Sequence, residues 1–260
     1  MFTKAKAMLA ASPLGGPAKR VSGEAKRLAS SIKTPELDLF YRDDGWLEDV
    51  IRARLSYNAN CVDVGCHIGS VLKLFVDVCP GGSHVGVEPT PSKAQVLREQ
   101  FPGVTLHECA VSDGPGEAVF YENTKDPGYS SLTEQEAAAP QINAYTVQIQ
   151  TLDSLLADGP VPNIIKIDVE GFELQALKGA AQTIAAHKPD LIFECGPVAN
   201  EEKGDFSGDD LYNYVTEELG YDVYAAIDLK FDRPALTLPE FRRYRTYPFV
   251  ALNFIALAKS

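Results

Sequence analysis

Short apolar runs rich in β-branched residues alternate along the chain with segments whose apolar residues recur at helical spacing. This alternation predicts repeated strand–helix units, which form a parallel, doubly wound sheet with right-handed crossovers. The predicted core strands cover residues 61–65, 84–88, 104–111, 164–168 and 190–196, and the predicted helices cover 46–55, 70–79, 92–101, 152–157 and 173–187.

The alternation is interrupted between the third and the fourth core strand. Residues 118–121 and 146–150 predict two strands separated by a polar loop, and we interpret them as an inserted β-hairpin. Near the end of the chain, a helix over 209–219 and strands over 221–228 and 249–257 predict an antiparallel hairpin at the edge of the sheet.

The first 33 residues differ in composition from the rest of the chain. Lysines and arginines lie there among Ala, Ser and Gly, and prolines and glycines interrupt any continuous helix. This pattern predicts a mobile basic extension over 1–33, followed by a single domain over 34–260.

Length and charge exclude several classes of protein. A chain of 260 residues can bury roughly three quarters of its unfolded surface in one core. The formal charge of -12, without a basic stripe, argues against nucleic acid as a partner. No run approaches the ~20 apolar residues of a membrane span.

The five cysteines form no CxxC pair, which is typical of free thiols in a reducing compartment such as the cytoplasm. A homodimer is left open.

The first predicted strand ends in a glycine-containing turn, DVGCHIG, from Asp63 to Gly69. Glycines allow the backbone to turn tightly and to approach a ligand at a helix N-terminus. Gly65 and Gly69 stand four residues apart, unlike the G-x-G-x-x-G spacing that places a diphosphate on the helix. Glu88 ends the second strand about 20 residues later, where a carboxylate accepts hydrogen bonds from ribose hydroxyls. A ribose without a diphosphate indicates a nucleoside-type cofactor such as S-adenosylmethionine.

Three carboxylates are predicted at the carboxyl edge of the sheet. Asp63, Glu88 and Asp168 would line a negative cleft that suits the sulfonium and ammonium groups of S-adenosylmethionine. In an alternative interpretation, Asp63 and Asp168 only cap the helices that follow them. The occurrence of all three carboxylates in this order favours the cofactor site.

Several segments resemble the FkbM-type methyltransferases, a branch of the class I S-adenosylmethionine-dependent enzymes. They are DVGCHIG, VEP at 87–89, CAVSD at 109–113, TLDSLL from Thr151 and, most specifically, KIDVEGFELQALKGA at 166–180. The resemblance covers about residues 61–196. The family commonly has alanine and asparagine where this chain has Cys66 and His67, so a catalytic role for His67 does not follow from the resemblance.

The resemblance implies a Rossmann-like, seven-stranded sheet that is mostly parallel with an antiparallel last strand. It implies O-methylation of a hydroxyl on a sugar, polyketide or related natural product, which makes a small molecule or a glycan the expected acceptor. The cofactor contacts expected from the residues and the resemblance together are Asp63, Gly65, Cys66, His67, Gly69, Glu88, Pro89, Ala110, Val111 and Asp168.

Such a reaction needs a base for the proton that the acceptor hydroxyl loses. The candidates are Asp168, Glu194, Glu170 and His67. Asp168 and then Glu194 are favoured because both end neighbouring central strands that face the same crevice. Glu170 could instead stabilise a helix N-terminus, and Glu194 could be paired with a buried partner.

Further candidate sites concern a metal and the acceptor. Asp168 and Glu194 supply oxygen ligands of the kind that a divalent cation such as Mg²⁺ prefers. Arg242, Arg243 and Arg245 form a cluster that could clamp an anionic or carbohydrate acceptor, or could be a solvated loop paired with nearby acids. The polar loop with Tyr129, Ser130 and Ser131 is a second candidate for acceptor binding.

Two other functional classes are compatible with these features. A nicotinamide-dependent oxidoreductase shares the fold, but it is expected to bind a diphosphate through closely spaced glycines. A non-catalytic protein that binds a nucleoside or a sugar would keep the pocket without turnover.

Overall fold

The computed structural model describes residues 34–123, 142–198 and 207–259. The prediction of a basic extension over 1–33 lies outside these residues. The strands are β1 Cys61–Val64, β2 His84–Val87, β3 Thr105–His107, β4 Ala110–Val111, β5 Gly116–Asn123, β6 Ile142–Gln150, β7 Ile164–Ile167, β8 Asp190–Glu194, β9 Tyr221–Ala225 and β10 Asn253–Ala258. The α-helices are α1 Asp38–Arg54, α2 Ser70–Val78, α3 Pro91–Gln100, α4 Leu152–Leu156, α5 Glu173–Lys178, α6 Ala181–His187, α7 Gly208–Asn213, α8 Ala226–Lys230 and α9 Leu238–Tyr244. A 3₁₀ turn Pro35–Leu37 precedes α1, and a π-helical turn Tyr214–Glu218 follows α7.

Seven strands form the central sheet in the order β3-β2-β1-β7-β8-β10-β9. The first five of these are parallel to one another, and β10 is antiparallel to both of its neighbours, β8 and β9. The predicted doubly wound sheet with an antiparallel last strand is therefore confirmed. The chain moves outward in opposite directions from β1 and β7, and this switch point opens a crevice beyond their carboxyl ends.

Apart from Asp63 and Lys166, the residues of the central strands β1 and β7 are apolar on both faces because helices cover both sides of the sheet. Every residue of β1 and β7 is buried. Ile165 and Ile167 pack into the larger core cluster with residues of α5, whereas Cys61 and Ile164 pack with residues of α1 and α2. None of the described helices has both the length and the apolar character needed to cross a membrane.

The segment 104–111, predicted as one strand, is divided between two sheets. β3 pairs with β2 up to the level of His107, and β4 pairs instead with β6 in a second, three-stranded sheet of order β4-β6-β5. The division has a simple cause: β3 is an edge strand with a single neighbour, and β2 ends at Val87, so residues 110–111 find no partner in the central sheet. Within the second sheet, β5 and β6 pair antiparallel.

Of the other predicted elements, one helix is divided in two and one strand is cut short. The helix predicted over 173–187 is interrupted at Gly179, where a Cβ atom would lie 2.1 Å from the carbonyl oxygen of Ser112. The strand predicted over 221–228 ends at Ala225, because the carboxylate of Asp228 accepts a hydrogen bond from the Ala225 N–H at 3.0 Å and caps α8.

Asp43 on α1 is a buried carboxyl group whose charge is poorly compensated. It is 3% exposed, and its Oδ1 atom has no hydrogen-bond partner among the described residues. Burial, together with the charges of Asp44 and Asp228, raises the pKa of Asp43 to about 8. The folded state therefore binds this proton more tightly than the unfolded chain, whose Asp pKa is about 3.9.

We predict that Asp43→Asn makes the protein more stable than the wild type at pH 8. Because the pKa of Asp43 is higher in the folded state, its proton contributes fully to the free energy of unfolding below the pKa of the unfolded chain. This contribution is lost as the pH rises toward 8, at no more than about 1.4 kcal/mol per pH unit for one proton. Urea unfolding between pH 4 and 8 should show a shallower decline for Asp43→Asn than for the wild type. The exposed neighbour offers a control, Asp44→Asn, which should keep most of the slope; equal slopes for wild type and Asp43→Asn would contradict the prediction.

Candidate active site

The carboxyl ends of four adjacent strands bring the predicted site residues to one edge of the sheet. Val64 is in register with Val87 on one side and with Ile167 on the other. The residues that follow or end these strands, Gly65, Glu88, Asp168 and Glu194, consequently lie side by side at the switch point. The sheet, rather than a flexible loop, sets their relative positions.

Gly65 makes the turn after β1 possible. Its φ is +83°, and a Cβ atom at this position would lie 1.8 Å from the carbonyl oxygen of Asp168. The Gly65 and Cys66 N–H groups both donate to the carbonyl oxygen of Val87, at 2.9 and 3.0 Å. The glycine turn is thus held against the ends of both neighbouring strands, β2 and β7.

Glu88 ties the same turn to the end of β2. Its carboxylate is 4% exposed and accepts hydrogen bonds from the His67 N–H at 2.8 Å and from the Thr90 N–H at 3.0 Å. Burial raises the pKa of Glu88, although the Lys93 charge and these N–H groups act in the opposite direction. Each carboxylate oxygen has a second lone pair, so Glu88 can still accept hydrogen bonds from a ligand.

A pocket opens above this turn. Its walls are mostly apolar, and its polar groups converge from several strand ends, as is typical of small-molecule sites. The lining residues are Val64, Gly65, His67, Val87, Glu88, Pro89, Lys93, Cys109, Ala110, Val111, Phe120, Asp168, Val169, Glu170 and Phe172. Of the predicted cofactor contacts, Gly65, His67, Glu88, Pro89, Ala110, Val111 and Asp168 belong to this lining, whereas Asp63, Cys66 and Gly69 do not.

The three predicted contacts outside the lining lie in the interior or in the turn before α2. The Cys66 thiol is buried and donates to the Asp63 carbonyl oxygen at 3.1 Å. Gly69, with a φ of +79°, precedes the first residue of α2. Asp63 is 1% exposed, and neither of its carboxylate oxygens has a hydrogen-bond partner of good geometry in the described part of the chain. Burial raises the pKa of Asp63 to about 6, with the Lys166 charge opposing the rise.

Asp168 forms an ion pair with a buried lysine. Lys166 Nζ donates to Asp168 Oδ2 at 2.8 Å, and the two side chains are 7% and 28% exposed. Burial acts to raise the pKa of Asp168, but Lys166 and a hydrogen bond with Glu194 outweigh it and hold that pKa below its usual value. Asp168 is therefore ionised at neutral pH and borders the pocket.

Glu194 differs from Asp168 in its protonation. Burial, the negative charge of Asp168 and the hydrogen bond between the two carboxyl groups raise the pKa of Glu194 to about 9. Glu194 consequently carries a proton at neutral pH and shares it with Asp168. This leaves Asp168 as the ionised member of the pair and weakens the case for Glu194 as a base.

Glu170 lies in the turn between β7 and α5, and Glu173 is the first residue of α5. Glu173 accepts hydrogen bonds from the N–H groups of Val169 and Gly171 at 3.0 and 3.2 Å, so it shapes the turn. Glu170 has a φ of +53° and lines the pocket with its side chain open to solvent. Crowding by protein atoms and the charges of Asp168 and Glu173 raise the pKa of Glu170 to about 8.

His67 reaches the pocket from the glycine turn. It is half-buried with a φ of +51°, and its Nε2 atom has no hydrogen-bond partner within the residues described. Burial and the Lys93 charge lower the pKa of His67, so the imidazole is neutral at pH 7. The ring is thus able to contact a ligand without contributing charge.

The predicted acceptor clamp is not assembled at this pocket. Arg242 pairs with Asp209, and Arg243 donates to the carbonyl oxygens of Thr246 and Pro248. Arg245 is 1% exposed, donates to the carbonyl oxygen of Gly196 at 2.8 Å and packs over a phenylalanine ring. These partners favour a structural role for the cluster. The other predicted acceptor residues, Tyr129, Ser130 and Ser131, lie outside the described residues.

Sequence reasoning missed seven residues of the lining, namely Val64, Val87, Lys93, Cys109, Phe120, Val169 and Phe172, and it also missed Lys166 beside the pocket. For Lys166 a signal was present, because a lysine inside an otherwise apolar, buried strand requires a nearby counter-charge. Phe120 lies on β5 of the second sheet, and its approach to the pocket depends on how that sheet packs. Local sequence carries no signal for such a contact.

The carboxyl oxygens of Asp168, Glu170 and Glu194 lie within 4.8 Å of one another. Oxygen atoms grouped in this way could hold a divalent cation. The Lys166 ammonium already contacts this group, however, and Glu194 carries a proton, so both would compete with a metal. We assign no metal ligands, and Mg²⁺ stays a prediction.

A doubly wound sheet with a glycine turn after β1 and a carboxylate at the end of β2 is an arrangement shared by α/β proteins that bind nucleosides and nucleotides. The Methyltransferase FkbM domain matches residues 63–223, and the chain belongs to this family of S-adenosylmethionine-dependent methyltransferases.

Two known proteins illustrate the relationship. The hexuronic acid methyltransferase AglP of Haloferax volcanii is 28% identical over 171 residues, which are 63% of this chain and 68% of that protein. The crystal structure of an FkbM methyltransferase from Methylobacillus flagellatus KT is 23% identical with a TM-score of 0.47, over 65% of this chain and 40% of that one. The match thus spans less than half of the solved FkbM chain.

We predict that Gly65→Ala lowers the free energy of unfolding by more than an unfavourable φ alone would, which is about 1–3 kcal/mol. The additional loss is expected because the alanine Cβ would collide with the Asp168 carbonyl group. Gly171→Ala is the matched control, since Gly171 has a φ of +99° but no atom within 4 Å of its Cβ position. Urea unfolding of both variants checks the difference. Equal losses of stability would show that the close contact at Gly65 is unimportant.

Proposed function

We propose that this protein is an S-adenosylmethionine-dependent O-methyltransferase that acts on a hydroxyl group of a sugar or a related natural product. One observation carries the proposal: an ionised carboxylate, Asp168, borders a pocket that also presents the buried Glu88 carboxylate and an apolar wall. Family membership supports methyl transfer, and the carboxylate supports a hydroxyl as the group that loses a proton.

The residues of the pocket suit the cofactor. Glu88 would accept hydrogen bonds from the ribose hydroxyls, while Ala110, Val111 and Phe120 offer apolar surface for the adenine ring. The negative charge of Asp168 would attract the positive groups of the methionine part. When bound, S-adenosylmethionine supplies an electrophilic methyl group.

Asp168 is our first choice for the base. An acceptor hydroxyl loses its proton as its oxygen bonds to the methyl carbon, so a carboxylate within hydrogen-bond reach accelerates the step by about 10²–10⁴. Asp168 is ionised at neutral pH, unlike Glu194. The neutral His67 imidazole and Glu170 also border the pocket and are candidates for orienting the acceptor.

One relative supports a choice of acceptor class to test. AglP is named a hexuronic acid methyltransferase, and the described pocket includes one cationic side chain, Lys93, that could attract a carboxylate. We therefore propose sugars that carry a carboxylate as the first acceptors to test, followed by neutral sugars. The domain that performs the reaction is proposed to be residues 34–260.

We predict that Glu88→Gln binds S-adenosylmethionine and S-adenosylhomocysteine at least about 10-fold more weakly than the wild type, because hydrogen bonds to a charged acceptor contribute about 1.5–3 kcal/mol. Isothermal titration calorimetry measures the affinities. Glu99→Gln, at an exposed position on α3, is the matched control and should bind normally. Wild-type protein that binds NAD but neither of these ligands would instead support an oxidoreductase.

We predict that Asp168→Asn loses about 10²–10⁴ in kcat at saturating S-adenosylmethionine, the range for a general base, because the amide cannot accept the proton of the acceptor hydroxyl. Radiolabelled methyl transfer to uronic acid glycans and neutral sugars measures kcat. Asp113→Asn, at an exposed position away from the pocket lining, should retain full activity. An unchanged kcat in Asp168→Asn would exclude Asp168 as the base. If the wild type binds the cofactor but transfers a methyl group to no acceptor, a non-catalytic binding protein would be favoured.

A further inference from the structure

Lys166 is a charged residue inside the most buried part of the sheet. It is 6% exposed and lies in the central strand β7, whose other three residues are isoleucines. In the two ladders beside it, Lys166 is in register with Asp63 on β1 and with Ile192 on β8. A lysine in such surroundings loses much of its hydration, so its charge requires compensation by carboxylates.

Asp63 provides that compensation from the neighbouring strand. Side chains in register on adjacent strands lie on the same face of a sheet, so the Asp63 carboxylate faces the Lys166 stem. Asp63 is 1% exposed, and the Leu72 N–H in the first turn of α2 lowers its pKa, but neither carboxylate oxygen has a hydrogen bond of good geometry among the described residues. Its charge is therefore available to compensate that of Lys166. Burial acts to lower the pKa of Lys166, but the charges of Asp168 and Asp63 outweigh it and raise that pKa.

We propose that Lys166 is a positioning residue that holds the Asp168 carboxylate at the pocket, and that the buried Asp63 is the counter-charge that keeps Lys166 in place. The proposal rests on the proposed function, in which Asp168 is the base. Lys166 reaches Asp168 at 2.8 Å from beneath the sheet edge and is absent from the pocket lining. It therefore acts through Asp168 and does not touch the ligand.

The charges around Asp168 explain why a fixed cation is needed. Carboxyl groups face it from Glu194 on β8, from Glu170 and Glu173 in the turn before and at the start of α5, and from Asp63 on β1. The glycine turn contributes the neutral His67. Without Lys166, these carboxyl groups would favour a protonated Asp168, which could not accept a proton from an acceptor.

Two substitutions should move the ionisation of Asp168 in opposite directions. Lys166→Met keeps the length of the side chain and removes its charge, so we expect the Asp168 midpoint to rise by about 1–3 pH units. Asp63→Asn removes a negative charge that competes with Asp168 for Lys166. We therefore expect the Asp168 midpoint to fall. Loss of packing alone would not produce shifts of opposite sign.

Carbon-13 NMR titration of the side-chain carboxyl groups tests this on the full chain without cofactor or acceptor. The Asp168 signal is assigned by its absence from the Asp168→Asn spectrum, and the exposed Lys178→Met is the matched control that should leave the midpoint unchanged. If Lys166→Met does not fold, Asp63→Asn decides alone. A midpoint that is unchanged in either folded variant, or that moves in the same direction in both, overturns the proposal.

The pH dependence of kcat provides the second measurement. Its acidic limb should move upward in Lys166→Met and downward in Asp63→Asn, in parallel with the NMR midpoints. Shifts in the NMR midpoints without any methyl transfer by the wild type would support the positioning of Asp168 and reject the proposed function. Methyl transfer by the wild type with unshifted NMR midpoints would support the proposed function and reject the positioning of Asp168 by Lys166.

Discussion

The contact between the turn after β1 and the turn after β7 is the constraint on which the site depends. The Asp168 N–H donates to the Val64 carbonyl oxygen at 3.0 Å, and Gly65 passes so close to the Asp168 carbonyl group that no side chain fits between them. These two turns meet at the switch point of the sheet, where the chain leaves β1 and β7 in opposite directions. Gly65 is therefore required both for the packing of these two turns and for the shape of the pocket beside them.

Charge balance is the second constraint. Parallel strands bring the carboxyl groups of Asp63, Asp168 and Glu194 around the buried Lys166, and carboxyl groups grouped in this way are not readily all ionised. The protein combines two solutions: the Lys166 ammonium compensates part of the charge, and a proton remains on Glu194. This division leaves an ionised carboxylate facing the pocket beside a protonated one. An arrangement in which neighbouring groups have separated pKa values is characteristic of catalytic sites.

The sequence was sufficient to predict those features that depend on strand periodicity and on residues at strand ends. Gly65, Glu88 and Asp168 each follow a short apolar run, and parallel pairing necessarily brings them together. The division of 104–111 between two sheets could not be predicted, because it depends on where β2 ends rather than on local composition. The same holds for Arg245, whose sequence neighbours suggest an exposed basic cluster but whose side chain is buried against Gly196.

The two halves of the pocket differ in how firmly the fold determines them. On the side of Glu88, each polar group has backbone partners, and each apolar wall residue belongs to or follows a strand. On the side of His67, Lys93 and Glu170, the lining consists of long or rotatable side chains, and the Lys93 charge acts to lower the pKa of both His67 and Glu170. We expect substitutions in the second group to leave the sheet intact, whereas substitutions in the first would disturb the glycine turn and the strand ends that it joins. This difference accords with the proposed function, in which the first side binds the nucleoside and the second side faces the acceptor.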